Sequence, residues 1–344
     1  MKKNILLITL AIYIATSLIS FQVKATIRRV NNNLNYIQSP SGVGVCSKCY
    51  QDLISAVGAA VDGDTIHIEG SPNWYQGTTI HRKVVIIGPG YFIGEPNSNS
   101  NPNLQYNTDI ATVFYLQFDS GSQGSQVYGI TSNALNGTAL QINTDSIIIE
   151  RCHLATGLRI ISGINHSIIR QNYIDGGINI FAASQNLIIE NNYITNIIIP
   201  SGSSGMVNQN TLAGDINSYN PLIVTNNFLS TAQQQNNTNA NFYNNIFFDN
   251  LPTWATGTNS VVALINTFIT GSSTDGNYHI NVACSTCLTG STSGGEVGMF
   301  GGNTPYILSG IPNIPTIYNL SAQPNAIQGN TTPAQISTRS NNKN

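Results

Sequence analysis

The chain has 344 residues, of which 8% are charged and 41% hydrophobic, with a formal net charge of −2. That balance excludes a disordered chain, which would combine few apolar residues with high net charge. It also excludes nucleic-acid binding, which needs a basic surface to displace counterions, because no lysine stands between Lys83 and Lys343.

In chain order, Met1, Lys2 and Lys3 give a positive start, and Ile5 to Ile19 form an almost unbroken apolar run. Val23-Lys24-Ala25 then places a small residue where a signal peptidase cuts. Residues 1–25 read as a secretory signal peptide. The run is shorter than the roughly 20 residues a membrane-spanning helix needs, and no later segment is long and apolar enough to span a bilayer. Export to the extracellular space, cell surface or periplasm is expected.

Five cysteines follow as Cys46-Ser-Lys-Cys49, Cys152 and Cys284-Ser-Thr-Cys287. In an oxidising compartment two local disulfides are the first expectation, with reduced thiols or a four-cysteine zinc site as alternatives. Cys152, the odd one, reads as a buried inert thiol. Between the first pair and the repeats, Leu53, Ala56, Val57 and Ala60 fall at helical spacing. A capping helix at about 50–61 is expected there. Asp62-Gly63-Asp64 turns the chain into the strand Thr65–Glu69, and Val84–Gly88 is the next buried strand.

Self-similarity dominates the middle of the chain. Ile149-Glu-Arg-Cys-His-Leu154 is followed by units starting at Ile169, Ile189, Val207, Val224, Phe242 and Leu264, spaced 20, 20, 18, 17, 18 and 22 residues apart. Each unit opens on a β-branched run with turn residues on both sides, which reads as strand. Units this short fit one coil of a parallel β-helix. Their fourth position is Cys152, Asn172, Asn192, Asn210, Asn227, Asn245 and Thr267, which explains part of the abundance of the 46 asparagines. Asparagine tolerates the left-handed conformation of a tight turn, and stacked amides can form a ladder. The sixth position is always large and apolar and faces the core. The fold class is therefore all-β, a single-stranded right-handed parallel β-helix over 26–270. A loop-rich C-terminal cap is expected over 271–322, and a disordered tail over 323–344.

The amphipathic helix, Gly63-Asp64-Thr65-Ile66, Val85-Ile86-Ile87-Gly88 and the Asn191-Asn192-Tyr193-Ile194 type of repeat resemble the pectin-lyase-like right-handed β-helix superfamily. More narrowly, the chain is similar to uncharacterised secreted β-helix proteins of the Bacteroidetes type. Those share the opening Thr26–Val30 and the closing Gly301-Gly-Asn-Thr-Pro-Tyr306 with Ile314-Pro-Thr-Ile-Tyr318. The resemblance covers roughly residues 26 to 320 and is specific for fold. Enzymes of that superfamily cut acidic or neutral polysaccharides on the outer face of the coils, but the resemblance leaves activity open, since such folds host lyases, hydrolases, adhesins and inert proteins.

An inverting hydrolase needs two carboxyl groups about 6.5–9.5 Å apart, and a lyase needs a cation and a base. Polygalacturonase-type hydrolases, which the resemblance brings in, would show an Asn-Thr-Asp, an Asp-Asp pair and a Gly-His-Gly, and the last two do not occur. Charge concentrates over residues 145–190, and the spacing stacks Glu150, Arg170 and Glu190 on three successive coils. Opposite charges across strands contribute roughly 0.2–1 kcal/mol each, so a register-fixing ladder is the first expectation. The candidates for catalysis are Glu150, Arg151, His153, Arg170, Asp175 and Glu190. Tyr173 and Tyr193, stacked with His153, are the candidates for sugar binding on a solvated face. No metal site or cofactor is expected, and calcium enters only if the protein is a lyase. The expected function is a non-catalytic, monomeric extracellular protein for surface structure, adhesion or glycan binding. The alternative is a lyase or glycosidase acting on an acidic polysaccharide.

Overall fold

The computed structural model describes residues 25–33, 48–95, 105–134, 137, 139–218, 222–229, 241–248, 250–252, 255, 257–262, 267–270, 273–322 and 334–340. The expected signal peptide up to Lys24 and Cys46 lie outside them. Within the described residues the chain is a parallel β-solenoid of about nine turns. Its short strands build three parallel sheets of eleven, nine and seven strands. One coil gives one strand to each sheet, as in Ile168–Arg170, Tyr173–Ile174 and Ile178–Ile180. These belong to the first, second and third sheet respectively.

The repeat spacing sets the register, and the register stacks like on like. In the first sheet Val127, Ile149, Ile169, Ile189, Val207 and Val224 are mutual partners, and each is fully buried. The sixth repeat position does the same in the second sheet, where Leu154, Ile174, Ile194, Leu212, Leu229 and Phe247 pair in turn. Third-sheet strands turn two residues inward, such as Leu140 with Ile142 and Leu158 with Ile160. Burying each such side chain contributes about 1.5–3 kcal/mol, so the core is one continuous apolar column.

The predicted capping helix is present but shorter, Leu53–Ala59, with Asp52 accepting a 2.7 Å hydrogen bond from the Ser55 amide. Leu53, Ala56 and Val57 are buried over the first coil. Beside it, Arg28 Nε donates to Asp64 Oδ2 at 2.8 Å, and both side chains are buried.

The asparagine ladder forms, with two corrections. Asn172, Asn192, Asn210, Asn227 and Asn245 are fully buried, and each bonds to the next. The left-handed residue, however, is the third repeat position, not the fourth: Arg151, Gln171, Asn191, Gln209, Asn226 and Asn244 all have φ between 53° and 58°. The fourth position instead turns its amide inward across the coil. Among the described residues the rung after Asn245 is Asn259, where the repeat pointed to Thr267. Asn245 donates to Asn259 Oδ1 from its backbone at 3.1 Å and its amide at 3.2 Å, because Ser260 and Val261 pair with Ile246 and Phe247.

The C-terminal region is also more ordered than expected. Cys284 and Cys287 form a disulfide within the helix Ser285–Thr289 and its cap. In the segment expected to be disordered, Ala334–Arg339 is a strand paired antiparallel with Thr316–Ala322.

Candidate functional site

The first sheet brings Glu150, Arg170 and Glu190 into one column, as the spacing predicted. Glu150 is buried, 3% exposed, and accepts from Arg170 Nε at 2.9 Å. Arg170 Nη2 lies 2.8 Å from the same oxygen, and Arg151 Nε lies 3.2 Å from the other. Arg170 Nη1 is 3.9 Å from Glu190 Oε1. Both oxygens of Glu150 thus face guanidinium groups, and the Arg170 side chain occupies the gap between the two glutamates.

Arg151 is drawn the other way as well. Its Nε donates to Gln171 Oε1 at 2.9 Å, and Nη1 donates to the Ile311 carbonyl at 3.0 Å and Asn313 Oδ1 at 2.6 Å. Burial lowers its pKa, with Glu150 opposing that effect.

The same pattern continues down the column of left-handed residues. Gln171 Nε2 donates to the carbonyls of Thr304 and Pro305, and Asn191 Nδ2 to those of Met299 and Gly301. Gln209 donates to the Glu296 carbonyl, Asn226 Nδ2 to Thr292 Oγ1, and Asn244 to the Gly290 carbonyl. Residues 290–313 are therefore a strap that runs back along the solenoid, one coil at a time. A left-handed backbone costs a residue with a Cβ roughly 1–2 kcal/mol. The same turn aims each polar side chain outward at the strap, where each hydrogen bond returns about 1 kcal/mol. Close approach needs glycine: a Cβ on Gly298, at φ +88°, would lie 2.4 Å from the Phe228 ring.

The strap changes the reading of the aromatic column. His153, Tyr173 and Tyr193 are in register, and the two tyrosine rings stack at 4.4 Å. They do not form a solvated platform. Tyr173 and Tyr193 are 5% and 8% exposed and belong to a cluster with Tyr91, Met299 and Tyr306. Tyr278 packs on Tyr193 at 4.5 Å. Burial raises both phenols, with Tyr278 adding to the effect. His153 Nε2 lies 2.9 Å from Asp175 Oδ2, its ring 4.9 Å from Phe92.

Asp275, fully buried, closes the strap. Its carboxylate accepts from the Ser309 amide at 2.6 Å, from Ser273 Oγ at 2.8 Å and from Tyr306 at 3.2 Å. Burial raises its pKa, and those hydrogen bonds only partly offset the rise. Tyr306 also shares a hydrogen bond with Tyr91 of the solenoid.

Cys152 is the buried free thiol expected, pushed up to about 12 by burial. An Asn-Thr-Asp does occur at Asn143–Asp145, and another at Asn107–Asp109. In the first, Asp145 accepts from the Asn165 amide at 2.8 Å and Asn143 donates to Asp119 at 2.6 Å. Both are turn and ladder contacts. Among the described residues no group of three or more His, Cys, Asp or Glu is placed to hold a metal ion.

Sequence reasoning missed the strap. The signal was present as two successive polar residues per turn where the ladder needs one, including the non-asparagine residues Arg151, Gln171 and Gln209. It also missed the outer face of the third sheet, where Gln117, Gln141, Arg159 and Asn179 stand in one row.

Three parallel sheets, a buried amide ladder and a strap across one corner define the class, a parallel β-solenoid. No protein-family model, curated protein or solved structure matches the chain.

Proposed function

We propose that this is an exported, non-catalytic member of the pectin-lyase-like β-helix superfamily that binds extracellular polysaccharide through the outside of its coils. One observation carries the reading: the best catalytic candidates are committed to the fold. Glu150 is held between Arg170 and Arg151, and Arg151 also anchors the strap. His153, Tyr173 and Tyr193 are packed among aromatic rings. The Cys284–Cys287 disulfide suits an oxidising compartment and supports export. Low charge and amide-rich coil faces suit a hydroxyl-rich ligand better than a polyanion.

The test is to incubate the purified protein with pectin, alginate, chondroitin-type and neutral polymers, with and without calcium. Retention on polysaccharide without chain shortening supports the reading. New reducing or unsaturated ends that vanish in Arg170→Ala overturn it in favour of a lyase or glycosidase.

A further inference from the structure

Beyond the strap the chain forms a two-stranded antiparallel ribbon, Thr316–Ala322 paired with Ala334–Arg339, with the register shifting at Tyr318. Directly opposed residues of an antiparallel pair share a face. Ile317, Leu320, Ala334, Ile336 and Thr338 therefore lie on one side, and Asn319, Ser321, Gln335 and Ser337 on the other. Such alternation belongs to strands that lay one face on a core. Here that face is open: Ile317, Leu320 and Ile336 are 47%, 39% and 57% exposed. Tyr106, whose amide donates to the Ile317 carbonyl at 2.8 Å, is also exposed. A two-stranded ribbon without a covered apolar face is marginal in water.

The first sheet carries the matching surface. Ile148, Ile168, Ile188, Met206 and Ile223 are partners in one outward row over five successive coils. The first four are half-buried and Ile223 is exposed. In the neighbouring row Arg170 Nε donates to Glu150, so these two charges already satisfy each other beside the stripe. At about 4.8 Å per coil the stripe runs about 24 Å, and a seven-residue strand runs about 23 Å.

We propose that two copies of this chain form a two-fold dimer in which the ribbon of each lies along the aliphatic row of the other. The placement of the ribbon suits this. Arg151 holds Ile311 and Asn313 at the corner that follows the first sheet, and Pro312 lies beside Gly129 in the preceding coil. The strap thus delivers the ribbon to the earlier coils, while the row occupies the later ones. A two-fold axis across the first sheet sets the solenoids antiparallel and brings each ribbon over its partner's row. One seating of a ribbon about 10 Å wide buries about 450 Å² over both surfaces, too little for a specific complex. Two symmetric seatings bury about twice that, which fits a weak, reversible dimer. Both surfaces are uncharged, and every copy supplies both of them. The dimer leaves the outer face of the third sheet free and does not depend on what the coils bind.

Sedimentation of the purified full chain over about 1 to 100 µM tests the dimer. The proteins compared are wild type, Ile336→Asn on the ribbon, Ile188→Asn in the row, and Ile198→Asn on the third sheet as control, with urea midpoints measured alongside. Wild type should pass from monomer to dimer within this range. Ile336→Asn and Ile188→Asn should each associate at least about tenfold more weakly, because each leaves an amide unpaired in the contact. Ile198→Asn should match wild type. A wild type that stays monomeric throughout overturns the proposal, as does wild-type association by either interface variant. A second measurement does not depend on those variants folding: Ile336→Cys and Ile188→Cys proteins are mixed and treated with a short bismaleimide. Cys152 is buried, with its thiol pushed up to about 12, and does not compete. Crosslinked dimer should form in the mixture and not with either protein alone. Crosslinking by Ile336→Cys alone, equal to that of the mixture, would put ribbon against ribbon and overturn the proposed seating.

Discussion

Asn192 sits in the middle of the buried ladder, and its removal has a calculable consequence. Its Oδ1 accepts from the Asn172 backbone amide and side-chain amide, both at 2.9 Å. Its Nδ2 donates to the Ile169 carbonyl and to Asn210 Oδ1, again both at 2.9 Å. In Asn192→Ala, Asn172 Nδ2 retains the Ile149 carbonyl and Asn210 Oδ1 retains the Asn192 amide. The Asn172 amide and the Ile169 carbonyl lose this partner in a fully buried position. At about 1–3 kcal/mol for each unsatisfied buried group, the variant loses about 2–6 kcal/mol. Asn259→Ala, at the half-buried end of the ladder, should lose only about 1 kcal/mol, since water can replace the amide. Urea unfolding followed by circular dichroism, with a shared slope for both variants, reads the difference. A loss below about 1 kcal/mol for Asn192→Ala, or equal losses at the two positions, would refute the ladder as a load-sharing element.

Other outcomes follow from the buried Arg28–Asp64 pair, the strap and its closing carboxylate. Asp64→Asn leaves the buried Arg28 unpaired and should cost about 3–5 kcal/mol by urea unfolding. Burial pushes Asp64 up, but the amides of Val61 and Thr26 and the Arg28 guanidinium outweigh it and hold it below its ordinary value. Its contribution is therefore present above the ordinary carboxylate range and lost as pH falls through the depressed folded pKa. Asp275 has the opposite sign: its folded pKa is raised, so the unfolded chain ionises first and stability falls as pH rises from about 4 through the folded value. The difference in urea midpoint between wild type and Asp275→Asn across that window should show this fall, and a pH-independent difference would contradict it. Gly298→Val should lift the strap from Phe228 and raise hydrogen exchange across 290–313 while the coils keep their protection.

How much of this was legible in the sequence depended on whether a contact repeats. The core columns and the Glu150–Arg170–Glu190 pairing came straight from the 20-residue period, because a fixed period with side chains alternating by two leaves one register. The ladder was legible for the same reason, but which of two adjacent asparagines takes the left-handed turn was not. Both positions favour Asn, and only the geometry shows the third residue with positive φ. The rung after Asn245 was misplaced because the coil there shortens: Asn245 to Asn259 is 14 residues, while motif similarity pointed to Thr267. The strap was invisible to periodicity. Its contacts join Asn244 to Gly290 and Arg151 to Asn313, 46 and 162 residues apart, and while the coil side shows a second polar residue per turn, residues 290–313 carry no repeat to pair with it. That hidden strap is why Tyr173 and Tyr193 read as a solvated platform and prove to be buried.

The most direct measurement concerns Glu150, the best-placed carboxylate in the charged coils. Glu150→Gln should lower the urea midpoint, because Arg170 and Arg151 lose their shared partner, while polysaccharide retention and polymer chain length stay as in wild type. The contrary result is a wild-type protein that releases sugar ends from a polysaccharide and a folded Glu150→Gln variant that does not. That outcome would make the column an active site.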